Sequence, residues 1–180
     1  MSVVYFVIQQ TMYFAIPLLI VAIGAMYSER SGVINIAMEG IMVMGAFVGI
    51  FFINIFQDRM SGQKLLLLAI LIVAVAGGLF SLLHAFASIN MKADQTISGT
   101  ALNLFAPAFA IFTARMIQGV QQIQFTDTFH IDKVPVLGDI PVIGDMFFQN
   151  CYITTYIGIG IFLVAAYVIK NTRFGLRLRA

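Results

Sequence analysis

The side chains with the widest chemical repertoire in this 180-residue chain are eight carboxylates, two histidines and a single cysteine. Their placement excludes most catalysis. His84 falls in a long apolar run and His130 in a polar stretch, so both read as structural, and no H-E-x-x-H or G-x-S-x-G motif is present. No G-x-x-x-x-G-K-[ST] phosphate cradle exists, and Gly158-Ile-Gly160 lacks the third glycine of a dinucleotide turn, so the chain itself is not expected to hydrolyse ATP. Cys151 alone excludes an internal disulfide framework and a multi-cysteine metal cluster. Asp139 and Asp145 close the repeated phrases Pro135-Val-Leu-Gly-Asp139 and Pro141-Val-Ile-Gly-Asp145, which read as turns, with the aspartates solvated. A metal site there lacks a third ligand of matching spacing, so neither a metal nor a cofactor is expected. What remains is polarity inside apolar surroundings: Asn35, Glu39 and Asn103. A carboxylate near the middle of a membrane helix costs roughly 2.5–3.5 kcal/mol and persists only with a partner, water or a function. Glu39 therefore either serves a polar pathway or is helix glue, protonated, hydrogen-bonded or solvated near Arg30. An intramembrane hydrolase would need an acidic dyad, and Glu39 is the only carboxylate inside a predicted span.

Positioning those residues requires membrane helices. The chain is 61% hydrophobic and 10% charged, with a mean hydropathy of +0.97, which a soluble core cannot accommodate. A net charge of +2 leaves neither a basic field for nucleic acid nor an acidic tail. A bilayer core of about 30 Å takes roughly 20 apolar residues per helix. Five such runs occur: Val3–Tyr27, Val33–Phe56, Leu65–Ile89, Ile97–Ala114 and Cys151–Ile169. The fold class is all-α, a polytopic transmembrane helical bundle of about five spans in a single domain over residues 1–180. Met1-Ser-Val-Val-Tyr-Phe lacks a basic n-region and a cleavage site, so the first span is expected to be retained. Lys170, Arg173, Arg177 and Arg179 place the basic segment 170–180 in the cytoplasm. Five crossings then put the N-terminus outside, together with the loop at 115–150, an ordered and partly apolar cap carrying Asp127, Asp132, Asp139 and Asp145.

Helical spacing divides the fourth span into a small or polar stripe, Gly99, Asn103, Ala106, Ala110 and Thr113, opposite Leu102, Phe105, Phe109, Phe112 and Met116. The second span predicts Asn35, Glu39, Ala46 and Gly49 on one face and Ile41, Met44, Val48, Phe52 and Ile55 on another. Gly45 and Gly49 form a small-xxx-small pair, and both stripes fit either close helix packing or the lining of a pathway. Arg30-Ser-Gly-Val-Ile-Asn-Ile-Ala-Met-Glu-Gly40 predicts an irregular helix start beside a cavity. Pro17 predicts a kink in the first span.

Four phrases in order carry a family resemblance: Ser28-Glu-Arg-Ser-Gly-Val-Ile-Asn-Ile-Ala-Met-Glu-Gly40 with Met42-Val-Met-Gly-Ala-Phe47, Ala93-Asp-Gln-Thr-Ile-Ser-Gly-Thr-Ala-Leu-Asn-Leu104, the loop Val134–Phe148, and Thr172-Arg-Phe-Gly-Leu-Arg-Leu-Arg-Ala180. Together they resemble permease subunits of ABC importers, specifically the nucleoside and simple-sugar permeases of the branched-chain amino acid/ribose permease superfamily. The similarity covers nearly the whole chain. Members of that family continue past the Arg-Leu-Arg-Ala phrase, so the chain is expected to be the N-terminal part of a permease.

The resemblance implies a transmembrane subunit, not itself an enzyme, that moves nucleosides or simple sugars across the plasma membrane. It implies ATP-binding cassette ATPase subunits, a second related permease and an extracytoplasmic solute-binding lipoprotein as partners, besides membrane lipid, and no nucleic acid. Asn35, Glu39 and Asn103 are then candidates for the translocation path. Arg173, Gly175, Arg177 and Arg179 would begin the segment that meets the ATPase, although the three arginines alone equally fit topology anchors at the lipid interface. The alternative is a non-transporting membrane scaffold, or a degenerate permease fragment, in which the polar stripes only join helices.

Overall fold

Apolar runs interrupted by charged or glycine-containing turns become, among the described residues, six helices: α1 (Val3–Arg30), α2 (Met38–Phe56), α3 (Gln63–Ile89), α4 (Gln95–Gln118), α5 (Ile153–Asn171) and the short α6 (Arg173–Arg179). The computed structural model describes residues 3–126, 129–133, 147 and 149–179. The Pro-Gly-Asp repeat from Pro135 to Asp145, and the cap expected there, lie outside the described residues. Helices α1 to α5 are each long and apolar enough to cross a membrane. Even the shortest, at 19 residues, reaches about 28 Å at the α-helical rise.

The boundaries move where local chemistry outweighs hydropathy. The second span loses its first five predicted residues, because Gly32 turns left-handed (φ 85°) and α2 starts only at Met38. The irregular start expected between Arg30 and Gly40 is present. The fourth span lengthens at both ends. Asp94 caps it by accepting from Thr96 N–H at 2.8 Å and Ile97 N–H at 3.0 Å. Gly119 closes it in the left-handed conformation (φ 73°), with Arg115 in the last turn, where the helix dipole favours a cation. Arg115 is thus helical and not part of the loop predicted at 115–150. Helix α1 continues through Pro17 and α4 through Pro107. Cys151 belongs not to the fifth span but to a short strand, β2 (Gln149–Tyr152), which pairs antiparallel with β1 (His130–Lys133) in the register His130 to Tyr152.

The chain divides into two compact units, Met1–Ser31 with Phe129–Ala180, and Gly32–Thr128. In the second, α2 packs on both α3 and α4 around Met44, Phe80 and Ala106, with Ile41, Phe47 and Leu102 against that centre. The face of α2 that does this is Gly40, Met44, Gly45, Gly49 and Ile53. The predicted polar face is therefore corrected: Glu39 and Ala46 are exposed, Met44 is buried, and Asn35 precedes the helix. The reason is steric. Val73 of α3 lies against Gly45 and Gly49, where added Cβ atoms would come within 3.2 and 2.7 Å of its methyl groups, so this glycine pair is a packing groove. The fourth-span stripe behaves as predicted except at Leu102, which was placed on the bulky outer side and is half-buried against Met44, Phe80 and Ala106, because α2 approaches α4 closely there through Gly40. Gly99 and Ala106 are buried and Asn103, Ala110 and Thr113 half-buried, while Phe105, Phe109, Phe112 and Met116 are exposed.

In the first unit α5 packs on α1, with Gly158 receiving Ile16 and with Tyr27 Oη donating to Ala165 O at 2.8 Å. Tyr152 meets Tyr13 and His130 edge-on, at ring separations of 5.1 and 4.9 Å, so β2 is anchored to α1 at Tyr13. Helix α6 restarts after an extended Thr172, whose hydroxyl donates to Val168 O at 2.6 Å and accepts from Gly175 N–H at 3.3 Å.

The approach of α2 to α4 gives a prediction. A Cβ on Gly40 would lie 2.7 Å from the Leu102 carbonyl oxygen, which cannot move without α4. Gly40→Ala is expected to destabilise the purified protein by about 1–3 kcal/mol. Gly78→Ala, with nothing within 4 Å of the added carbon, should be neutral or stabilising by up to about 1 kcal/mol. Thermal unfolding in detergent distinguishes the two, and equal melting temperatures would contradict the packing described.

Candidate functional site

The polar residues of the second unit converge where α2 begins, α3 ends and α4 begins. Between Gly32 and Met38 the main chain is neither helix nor strand, so its N–H and C=O groups need other partners. Side chains provide them. Gln95, in the first turn of α4, accepts from Ile34 N–H through Oε1 at 2.8 Å. One turn further along α4, Ser98 bonds His84 Nδ1 at 2.7 Å, and His84 Nε2 stands 3.4 Å from Ile34 O. A carbonyl can only accept, so Nε2 carries the proton, and in the neutral ring Nδ1 accepts from the Ser98 hydroxyl. His84 is 2% exposed, and both of its ring nitrogens have partners.

Asn103 completes the arrangement. Its Nδ2 donates to Ile36 O at 2.9 Å and its Oδ1 accepts from Gly40 N–H at 2.7 Å, so one amide brackets the first turn of α2. The approach is close because Gly99 has no side chain: an added Cβ there would lie 2.9 Å from Ile36 Cβ and 3.1 Å from Ala37 N. Ala37 is fully buried under this contact.

The three predicted path residues all lie at this end of the unit. Asn35 sits in the irregular segment, half-buried, with its Oδ1 buried and without a hydrogen-bond partner. Asn103 is bonded to main chain at both ends of its amide. Glu39 occupies the exposed first turn of α2, where the helix dipole favours a carboxylate. The predicted ATPase-facing residues belong to the other unit. Arg173 and Arg177 are exposed on α6 beside exposed Phe174 and Leu176, and Arg179 ends that helix. Gly175 is buried where a Cβ would collide with the Ile169 carbonyl.

His84, Gln95 and Ser98 were not among the predicted path residues. The available signal was a lone imidazole in an otherwise apolar span, which must find partners in a low-dielectric setting. Sequence spacing alone does not bring it to Ile34.

Residues 7–180 match the model of the family described as branched-chain amino acid transport system / permease component. The chain belongs to this family. It is 40% identical over 175 residues to the guanosine ABC transporter permease protein NupQ of Bacillus subtilis, covering 97% of this chain and 54% of that relative. It is likewise 40% identical over 174 residues to the nucleoside ABC transporter permease protein NupC of Lactococcus lactis, covering 97% and 55%. The putative glucose ABC transporter permease protein TsgC13 of Haloferax volcanii is 27% identical over 180 residues, covering 94% and 49%. The chain spans about half the length of these curated relatives. No solved structure matches it. Family and apolar helices together make this permease-family chain a multi-pass membrane protein.

Asn103 carries the prediction here. Asn103→Leu preserves side-chain size and strands Ile36 O and Gly40 N–H, at a cost of about 1–3 kcal/mol for each group left buried. Asn103→Asp keeps the acceptor for Gly40 N–H and should unfold at a temperature between those of Asn103→Leu and the unmodified protein. A melting temperature for Asn103→Leu equal to wild type would contradict the bracketing role.

Proposed function

We propose that this chain is a transmembrane permease subunit of an ATP-binding cassette importer that moves nucleosides across the cell membrane. The observation that carries this is the 40% identity, across 97% of the chain, to permeases named for guanosine and for nucleosides. Simple sugars form the second reading, favoured by the glucose-named relative at 27% identity. The chain is no enzyme on this view. Its energy comes from separate ATPase subunits, and a second related permease and an extracytoplasmic solute-binding lipoprotein complete the assembly.

The path runs past the α2 start. Asn35 offers an amide and Glu39 a carboxylate there, while Asn103 holds the main chain between them. Glu39 stands at the exposed first turn of α2, where the helix dipole favours the charged carboxylate, and on this reading it faces water or protein in the assembly. At the other end of the function, Arg173, Gly175, Arg177 and Arg179 begin the contact with the ATPase. Support comes from the exposed cations and apolar side chains of α6, fixed by Thr172 and Gly175 to the end of α5. ATP-driven closure of the ATPases biases the permease between outward- and inward-facing states through contacts that differ between them. The basic segment 170–180 lies in the cytoplasm and the N-terminus outside, consistent with Lys170 in the last turn of α5 and the three arginines after it.

The test is uptake of radiolabelled guanosine in cells lacking their own nucleoside import and expressing the chain with its partner subunits. ATP-dependent accumulation is expected, competed by unlabelled nucleosides and not by glucose. Glu39→Gln should lower the uptake rate at unchanged protein level. Accumulation of radiolabelled glucose, and not of guanosine, in the same cells would select the sugar reading. No accumulation of either solute would contradict the importer assignment, and unaltered uptake by Glu39→Gln would remove Glu39 from the path.

A further inference from the structure

Four main-chain groups at the α2 start are bonded to side chains: Ile34 N–H to Gln95, Ile34 O to His84, and Ile36 O and Gly40 N–H to Asn103. Such bonds differ physically from those of a helix. Helical hydrogen bonds form and break cooperatively, so a shift within α2 would unwind a turn. A side-chain bond exchanges singly, at a net contribution equivalent to about fivefold in an equilibrium. The start of α2 is therefore a place where the main chain can change position while α2, α3 and α4 remain helical.

We propose that Gln95, Asn103 and the His84–Ser98 pair are positioning residues for transport. They act through the main chain of residues 34–40 to set the place of Asn35, and they do not themselves contact the solute. The inference rests on the importer function proposed above and adds three residues to it. The separation of roles follows from hydrogen-bond capacity. Both ends of the Asn103 amide and both ring nitrogens of His84 are engaged within the protein, whereas Asn35 Oδ1 is buried without a partner. A buried unpaired acceptor disfavours the position it occupies, so the bonds to Ile34, Ile36 and Gly40 are what keep this segment in place. Gly40 and Gly99 add a steric limit, since α4 lies too close at both for a Cβ.

The experiment is guanosine uptake by the full complex in cells, as initial rates against concentration, normalised to the amount of this chain in the membrane. Gln95→Ala and Ser98→Ala each remove one bond and are expected to lower kcat/KM by about fivefold. His84→Gln retains an N–H that reaches Ile34 O and should keep more transport than His84→Leu. Gln118→Ala is the control. It removes a bond of similar length between two side chains, Gln118 Nε2 to Asn54 Oδ1 at 2.8 Å, at the opposite end of the same unit, and should match wild type. Wild-type kcat/KM in Gln95→Ala and Ser98→Ala would overturn the proposal, as would an equal loss in Gln118→Ala or equal activity of His84→Gln and His84→Leu. Gln95 lies half-buried in the first turn of α4, so its truncation keeps the test open even where a His84 variant fails to accumulate. Absence of uptake by the wild type would strike the importer assignment instead, and this inference with it.

Discussion

A main chain that leaves helical form inside a bundle must still bond its N–H and C=O groups, and in a membrane protein lipid offers no substitute for water. At residues 33–37 that constraint organises the second unit. Gln95, His84 and Asn103 replace the missing backbone partners. The replacement fixes which ends of α2, α3 and α4 come together, and Gly40 and Gly99 decide how closely. The rest of α2 follows, because once its first turn is bracketed by Asn103 the face carrying Gly40, Met44, Gly45, Gly49 and Ile53 is the one turned inward.

The same physics explains why so much apolar surface remains uncovered. Large side chains such as Leu71, Leu79, Phe112 and Val164 are exposed while small ones are buried. Between lipid and protein there is little hydrophobic difference to exploit, so contact depends on close approach and hydrogen bonding. Gly45 and Gly49 against Val73, and Gly158 against Ile16, are close approaches of this kind, as are Gly40 and Gly99. Tyr27 to Ala165 and Asn103 to Ile36 are the bonds that accompany them.

Much of this was legible from residue order. Five apolar runs identified the five long helices, the stripe through Gly99 and Ala106 identified the buried side of α4, and four phrases identified the family, which the match over residues 7–180 now shows. What hydropathy misjudged was local. Val33 to Ala37 is as apolar as a helix start, but Gly32 turns the chain and the side chains of α3 and α4 supply its bonds. Extending the helical wheel back to Asn35 rotated the predicted face, which placed Ala46 inside and Met44 outside, the reverse of what packing on Val73 and Leu102 requires. His84 was legible as an anomaly but not as a partner of Ile34, because that contact joins residues far apart in sequence. Strands β1 and β2 are too short for a periodic signal.

The proposed transport function and the structure meet in one proposal, that the irregular start of α2 borders the route of the solute. The most direct measurement is thiol labelling of Asn35→Cys, with Cys151 replaced by Ser, in the assembled transporter with and without guanosine. A labelling rate that falls as guanosine is added, and that also changes when ATP is supplied, is the result this account predicts. A rate indifferent to both would place the segment away from the path and contradict it.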